Sequence, residues 1–336
     1  MASPGNDHRL GTGEAPPGIM SVFIGEELTK KLDEIEVKIR GGKMSPEEKT
    51  EIKLKIGKIP QLLIDNTDRN RTSPFAFTGN KFEIRSVGST LNCSAVMTAI
   101  NTTMAKVLKD FKNQVDKKIN DGLKKDEAVF EILRKFIIDS KKIRFDGDGY
   151  SKEWLNEASK RGLTNVQKSV YAFKEKISQT SIELFKEMNV MSKPELDARY
   201  TINLESYQKI IQIEARIIGD LALNHIIPTA LSYQTQLLNN VEKLQKVLKG
   251  FTTNSQVTTI KEIGERVDFI HAKVNELVES RKRVNEIENI EEKAKAYCDS
   301  IIPFFDKIRN ETDKLEKIID DKLWPLPKYR ELLFAR

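Results

Sequence analysis

Apolar positions change their period along the chain, and the change falls near residue 87. Before it, residues 26–40 carry apolar side chains at helical spacing and end at two glycines, which predicts an amphipathic helix. Residues 52–56 alternate apolar and charged side chains, as half-buried strands do. After residue 87 the pattern is almost continuously helical. We therefore expect an α+β part followed by a helical part.

A β-hairpin is predicted where two short apolar segments, 75–77 and 82–85, are separated by Thr-Gly-Asn at 78–80. This tripeptide has the composition of a tight turn. The segment stands out because it gathers basic residues around two aromatic-rich stretches in a chain that is otherwise rich in Lys and Glu.

The second strand of this hairpin separates polar from apolar side chains. Because side chains alternate along a strand, Glu83 and Arg85 share one face, and Phe82 and Ile84 point to the other. Lys81 joins the polar side. A sheet face of this kind is either exposed to water or lines a polar cavity.

Helices are predicted over 95–112, 127–139 and 152–160, and again along most of the chain after residue 204. Three of the later helices carry apolar side chains in steps of three and four, which is typical of helices that pack in an antiparallel bundle. These seam positions are Leu237, Val241, Leu244 and Leu248 on the first helix, Ile260, Ile263, Val267, Ile270, Val274 and Leu277 on the second, and Ile301, Phe305, Ile308, Leu315 and Ile319 on the third.

Two features shape this bundle. Residues 250–254 contain glycine and polar side chains, and they are expected to reverse the chain between the first two helices. Pro303 is expected to bend the third helix near its start.

Composition and charge narrow the function classes. The 336 residues are 39% apolar, which suffices for two domains with a substantial core. No segment reaches the roughly 18–20 apolar residues that span a bilayer, and no secretory signal precedes the first motif, so a cytoplasmic protein is expected. The net charge of +6 comes from 56 basic and 50 acidic residues that are interleaved. This pattern does not favour nucleic-acid binding, which needs clustered basic residues.

Cysteines and histidines give no framework for a disulfide or a zinc site. Cys93 and Cys298 are the only cysteines and lie far apart, so we expect two buried thiols. His225 and His271 stand singly on predicted helices, where we expect structural or surface residues rather than metal ligands.

A turn at 145–150 has part of the spacing of a calcium loop. Asp146, Asp148 and Glu157 fall at the first, third and twelfth positions of such a loop. However, Tyr150 and Ser151 stand where an oxygen ligand and the obligatory glycine belong. Calcium binding is therefore not expected.

The charged residues of the first part suit an anionic substrate. No GxSxG, HExxH, P-loop or GxGxxG sequence is present. Arg9 and Glu14 flank a Gly-rich turn, and a glutamate on a flexible loop suits a gate over a substrate. Arginine forks hold carboxylate and phosphate oxygens, and a lone glutamate suits a divalent cation. These parts favour phosphoryl transfer, with a solvated charged surface as the alternative.

Four stretches carry a resemblance to a known family: NDHRLGTGEAPP, DRNRTSPFAFTGNKFEIR, FDGDGYSKEW and LWPLPKYRELLF. In this order and spacing they resemble the C-terminal half of a type III glutamine synthetase, and the resemblance covers nearly the whole chain. It implies an α+β fold in which residues 1–198 are the C-terminal part of the catalytic domain, with part of its barrel. Residues 199–336 would then be the helical C-terminal domain of the type III family.

The resemblance implies an ATP-dependent glutamate–ammonia ligase that uses Mg²⁺ or Mn²⁺ and forms γ-glutamyl phosphate from glutamate before ammonium reacts. Glu14 matches the glutamate of the mobile flap, which shields the intermediate and accepts a proton from ammonium. Arg9 and Arg85 match the arginines that hold the glutamate substrate. Arg71 matches an arginine that neutralises the transferred phosphate, and Glu83 matches a metal ligand.

Two positions depart from the family pattern. Other classes of glutamine synthetase have a second phosphate-side arginine five residues after Arg71, where this chain has Ala76, and Lys81 is the nearest residue that could replace its charge. Gly13 precedes the flap glutamate where an asparagine is expected, and it gives that loop more freedom.

The family's N-terminal β-grasp domain, its Asn-Gly-Ser-Gly motif and most of its metal-binding glutamates do not occur in this sequence. The resemblance therefore implies part of an active site, which is inactive without the N-terminal half. A homo-oligomer, or an N-terminal half supplied in trans, is the expected partner. The alternative is a non-catalytic helical scaffold or assembly protein derived from that enzyme.

Overall fold

The computed structural model divides into two compact units, Met1–Asp197 and Ala198–Arg336. Among the residues that it describes, no helix combines the length and apolarity needed to cross a membrane. The described residues are 7–12, 15–40, 73–79, 81–86, 88, 91–248 and 250–334.

A three-stranded sheet lies in the first unit, with the strands in the order β1, β2, β3. Strand β1 (Val22–Phe23) is parallel to β2 (Phe75–Phe77), which pairs antiparallel with β3 (Phe82–Ile84). The backbone N–H of Thr78 donates to the Lys81 carbonyl at 2.9 Å and closes the turn between β2 and β3. The predicted hairpin is therefore confirmed.

The helices that sequence periodicity predicts in this unit are also confirmed, and α2 is longer than predicted. The strand predicted at 52–56 lies outside the described residues. The helices of the unit are α1 (Glu26–Arg40), α2 (Ser94–Asn120), α3 (Lys125–Asp139), α4 (Lys152–Lys160), α5 (Ser169–Ala172) and α6 (Gln179–Glu187).

The FDGDGYSKEW stretch builds a small core around α4. Trp154 packs with Ile19 and Ala158, and its ring stacks on Phe145 with 3.7 Å between centroids. Ser151 is the N-cap of α4, and its hydroxyl accepts a hydrogen bond from the Trp154 N–H at 3.1 Å. This stretch therefore contributes packing and helix capping.

Asp146, which sequence analysis weighed as a calcium ligand, caps the start of α1. One carboxylate oxygen accepts from the backbone N–H of Ile24 at 3.1 Å and of Gly25 at 2.9 Å. The other accepts from the Thr29 hydroxyl at 2.5 Å. Donors at a helix start lack partners within the helix, so this carboxylate joins two distant parts of the chain.

The second unit is a helical bundle, as predicted. Two segments of its helices have π-helical geometry, and each leads into a helix with proline in its first turn. The helices are α7 (Lys193–Leu221), which continues through the π segment Ala222–Ile226 into α8 (Ile227–Val247), then α9 (Asn254–Asn285), α10 (Ile290–Ala296), the π segment Tyr297–Ile301, α11 (Ile302–Ile318) and α12 (Tyr329–Leu333).

Helix α9 packs against both α8 and α11. The predicted seam of α9 forms the core of the bundle, with Ile260 only half-buried, and most of the α11 seam is also buried. On α8 the prediction is partly wrong: Leu248 lies after the helix end and is exposed. The buried seam residues are Val241, Ile263, Val267, Ile270, Val274, Leu277, Ile301, Ile308, Leu315 and Ile319.

The π segments accommodate the prolines. Pro228 and Pro303 lack the N–H that a regular helix ladder needs, and a π segment locally changes that ladder. Pro303 therefore lies inside a longer helical path that begins with α10, rather than near the start of an isolated helix.

The prediction for the thiols is half right. Cys298 is buried, as predicted, but Cys93 is exposed. Cys93 occupies the N-cap position of α2, where the chain enters a helix that is itself largely exposed. His225 and His271 are exposed on their helices, in agreement with the expectation of surface residues.

Candidate functional site

Strand β3 and its flanks hold three of the predicted site residues side by side. The Glu83 Oε2 atom lies 3.2 Å from Arg85 Nη2, and the Glu83 Oε1 atom lies 3.9 Å from Lys81 Nζ. The carboxylate is therefore bracketed by two cations that project from the same face of the strand, as the two-residue period predicts.

The polar face of the hairpin is the more enclosed one. Ala76 pairs with Glu83 across the strands, so the two share a face, and Ala76 is fully buried. Glu83 and Arg85 are half-buried, whereas the apolar residues Phe82 and Ile84 are exposed. A surface strand normally shows the reverse. The part of the polar face that holds Glu83 and Arg85 is therefore partly enclosed, while Lys81 at its edge is exposed.

The apolar face of the hairpin is a cluster of aromatic rings. Phe82 stacks on Phe75 with 4.9 Å between centroids and lies 5.1 Å from Phe77. These rings pack among themselves, and Phe82 still has nearly half of its surface exposed. The face is therefore an uncovered apolar surface of the first unit.

Arg9 lies on a short 3₁₀ turn, Asp7–Arg9, that precedes β1 along the chain. Asp7 anchors this turn by accepting from the backbone N–H of Ser169 at 2.8 Å and from the Ser169 hydroxyl. Burial raises the pKa of the Asp7 carboxyl, and the hydrogen bonds from Ser169 partly oppose that rise. Sequence reasoning missed Asp7, because its partner lies 162 residues away.

The Gly-rich loop after Arg9 is closed at its base. Leu10 and Ala15 form an isolated bridge, and the Gly11 N–H donates to the Ala15 carbonyl at 3.1 Å. Gly11 has φ of +75°, a left-handed conformation that glycine adopts without strain. The predicted gate residue Glu14 belongs to this loop in sequence but lies outside the described residues. Arg71, in the stretch before the hairpin, also lies outside the described residues.

Within the described part of the chain, no three His, Cys, Asp or Glu side chains group as a metal site would require. Glu83 is the one predicted metal ligand there, and its carboxylate faces two cations. Mg²⁺ needs six oxygen ligands, some of them water. The described residues alone therefore do not fit a divalent metal site.

The departure at Ala76 has a structural counterpart. Lys81 lies two residues before Glu83 on the face that Glu83 shares with Ala76. Its ammonium group is therefore on the side where an arginine at position 76 would project. At 67% side-chain exposure, Lys81 keeps the freedom to reorient.

Comparisons with known proteins point to one family of enzymes. The family model described as "Glutamine synthetase C-terminal domain" matches residues 128–245. This part of the chain therefore resembles the C-terminal domain of glutamine synthetases.

Curated relatives extend the match to the whole chain. Over 340 aligned positions, the chain is 48% identical to "Glutamine synthetase" of Bacteroides fragilis (strain YCH46) and 34% identical to "Type-3 glutamine synthetase" of Dictyostelium discoideum. It is 32% identical to "Glutamine synthetase" of Butyrivibrio fibrisolvens. The resemblance to the C-terminal half of a type III glutamine synthetase is confirmed, and the chain is a relative of these enzymes along its full length.

The chain spans about half the length of the curated relatives that it matches. It covers 47%, 46% and 47% of the three proteins, while 100% of its own length is aligned in each case. Slightly more than half of each relative therefore has no counterpart in this chain.

Proposed function

We propose that this chain is the C-terminal portion of an ATP-dependent glutamate–ammonia ligase and acts in nitrogen metabolism together with the N-terminal half of such an enzyme. The observation that carries the proposal is the half-buried ionic face of β3, in which Glu83 lies between Arg85 and Lys81. The similarity to glutamine synthetases extends over the whole of this chain and supports the reaction class.

The charges of the site have separate roles in this proposal. Arg85 is partly buried and fixed against Glu83, so its guanidinium can hold the carboxylate of a glutamate substrate in a defined direction. Arg9, on a turn anchored through Asp7, would hold the same substrate. Lys81 would add positive charge on the phosphate side, together with Arg71.

Glu14 would serve as the gate over the reacting atoms and accept the proton that ammonium loses. Its loop is closed at the base by the Leu10–Ala15 bridge. The gate would have to exclude water from the reacting atoms, because water hydrolyses an acyl phosphate.

The metal and the nucleotide belong to the complete enzyme in this proposal. Mg²⁺ or Mn²⁺ would neutralise charge on the phosphate groups of ATP during transfer. Glu83 is a single oxygen donor, so the remaining ligands would have to come from the N-terminal half.

An uncovered apolar surface supports the need for a further half. Large apolar side chains are exposed on the hairpin, at Phe82 and Ile84, and also along α2. Several exposed large apolar side chains on one element are typical of an interface when they form a patch. The side chains concerned on α2 are Met97 at 54%, Met104 at 46% and Leu108 at 61% exposure. Homo-oligomer formation and a cytoplasmic location remain part of the proposal.

A complementation experiment tests this function. The chain is purified alone and after co-expression with the N-terminal half of a related glutamine synthetase, and both γ-glutamyl transferase and biosynthetic activities are measured with Mg²⁺ or Mn²⁺. The proposal predicts activity in the co-expressed complex and none from either half alone. Formation of a stable complex without activity would contradict it.

A non-catalytic scaffold is the second candidate. It is favoured by the fact that Glu83 is already neutralised by its own neighbours and that the described residues gather no metal site. This function predicts unchanged folding and association after replacement of Glu83 or Arg71, and no nucleotide binding in the presence of the N-terminal half.

A further inference from the structure

The N-terminal stretch 7–19 lies against a segment that comes much later in the chain, residues 165–169, called here the docking segment. Ser169, at the end of this segment, is buried and donates two hydrogen bonds to the Asp7 carboxylate, one from its backbone N–H at 2.8 Å and one from its hydroxyl. Hydrogen bonds to an ionised acceptor are stronger than neutral ones. This contact therefore fixes the start of the stretch.

The end of the stretch is held by the opposite end of the docking segment. Ile19 forms an antiparallel bridge with Asn165. A Cβ atom at Gly18 would lie 2.6 Å from the Val166 carbonyl oxygen, so the two backbones approach more closely there than a side chain permits. The stretch and the docking segment therefore run antiparallel and are attached at both ends.

Arg9 lies between two points of contact with the docking segment. It is half-buried and shares its 3₁₀ turn with Asp7, two residues earlier. Two residues later, Gly11 lies beside the docking segment, because a Cβ atom there would be 3.7 Å from Nε2 of Gln167. The Thr12 hydroxyl donates to the Arg9 carbonyl at 2.7 Å and closes the turn. The backbone that carries the Arg9 side chain is therefore held from both sides.

We propose that Asp7 and Ser169 are positioning residues for Arg9, which together set the direction from which its guanidinium meets the carboxylate of the glutamate substrate. The inference rests on the proposed function, because it takes Arg9 as a substrate-binding residue. The effect of Asp7 and Ser169 on the substrate passes through Arg9 alone. A displacement of about 1 Å in a group that orients a substrate can lower the rate about a hundredfold.

The negative charge of Asp7 is held at a cost, which separates this residue from an ordinary turn residue. Burial raises the pKa of the Asp7 carboxyl, and the hydrogen bonds from Ser169 only partly oppose that rise. Groups whose pKa values are shifted by burial are concentrated at functional sites. An asparagine would avoid the cost of the charge and could still accept from the Ser169 N–H, so Asp7→Asn is the conservative variant.

Hydrogen exchange of the full chain by itself tests the attachment without any need for activity. Asp7→Ala should raise the exchange rate of the backbone amides of residues 10–12 at least about tenfold, because the turn loses its anchor. Asp146→Ala is the matched control, since it also removes a carboxylate that accepts from backbone and hydroxyl donors, but at the start of α1. It should raise exchange at Ile24 and Gly25 and leave residues 10–12 unchanged.

Steady-state kinetics of the co-expressed complex test the link to the substrate. Asp7→Ala and Ser169→Ala should both raise the KM for glutamate, at least about tenfold in Asp7→Ala, and leave the KM for ATP unchanged. Asp7→Asn should recover most of the loss. Asp146→Ala should leave the KM values for glutamate and ATP unchanged, although it removes a carboxylate contact from the same unit.

Three results would overturn the proposal. They are unchanged exchange at residues 10–12 in Asp7→Ala, an unchanged KM for glutamate in an active complex that carries Asp7→Ala, and an equal rise in the KM values for glutamate and ATP. A complex of the natural sequence without activity would contradict the proposed function itself, and the positioning role would fall with it. The failure of this inference alone is therefore distinguishable from the failure of the proposed function.

Discussion

Glu83 lies on β3 and Arg85 lies one residue beyond its end, and their side chains meet with 3.2 Å between Oε2 and Nη2. Both are more enclosed than the apolar residues that alternate with them. The hairpin therefore places two of its charged side chains in a partly enclosed position and leaves apolar side chains exposed on its other face. This relationship links the sequence motif to the proposed chemistry.

Replacement of Asp146 is expected to destabilise the first unit. Asp146→Ala removes three hydrogen bonds at the start of α1 and leaves two backbone donors without that partner. We expect a loss of about 1–3 kcal/mol in the free energy of unfolding. Urea unfolding followed by Trp154 fluorescence, in a Trp324→Phe background, reports on this unit.

Asp148→Ala is the control for that experiment, since Asp148 stands two residues away and is exposed. Its own loss should be smaller than that of Asp146→Ala. Equal losses of unfolding free energy in the two variants would contradict the stabilising role of the Asp146 cap on α1. Added Ca²⁺ should leave both transitions unchanged, because Asp146 is occupied by protein donors.

An arginine at position 76 should not be tolerated in this chain. Ala76 is fully buried in β2, opposite Glu83, so Ala76→Arg places a long charged side chain at a position that has no access to solvent. We expect destabilisation by about 2–4 kcal/mol, which thermal unfolding would measure. Thr78→Arg, in the turn one residue after the same strand, is the control and should lose only the hydrogen bond from the Thr78 hydroxyl to the Lys81 carbonyl. A stable Ala76→Arg variant would show that the space around β2 can open.

The second unit should lose stability in alkali because of Tyr200. Burial, together with the nearby Glu291 carboxylate, raises the pKa of Tyr200 to about 12 from its ordinary value of 10.0. The unfolded chain therefore releases this proton at lower pH than the folded chain does. Stability from this group is fully present below pH 10 and is lost as the pH rises from 10 to 12.

Comparison of variants isolates that effect from other alkaline changes. Tyr200→Phe should show a shallower loss of stability between pH 10 and 12, measured by urea unfolding at each pH. Tyr171→Phe, which alters an exposed tyrosine in the first unit, should keep the slope of the natural chain. Identical slopes for all three proteins would contradict the assignment.

Much of the fold follows from local pattern. The apolar steps of three and four on α9 correctly identify Ile263, Val267 and Ile270 as core, because helix periodicity reports burial directly. The hairpin at 75–85 is likewise predictable, because turn composition and alternation agree there. The helical bundle was therefore readable from the sequence.

Long-range contacts were not readable in this way. Asp146 caps a helix that begins 120 residues earlier, and Asp7 binds Ser169, so neither role leaves a local pattern. Alternation correctly separated the faces of β3 but could not tell which face is enclosed. Burial of Cys93 was predicted from residue type alone, and its place at an exposed helix start overrides that tendency.

The central claim is that the enclosed charges of β3 act in catalysis. The most direct measurement is the biosynthetic activity of the co-expressed complex carrying Glu83→Gln or Arg85→Gln, with Lys30→Gln on α1 as a control that also removes one end of an exposed ion pair. We predict a fall of about 10²–10³ for both site variants and none for the control, with the complex intact in all three. Full activity in Glu83→Gln and Arg85→Gln would contradict the account.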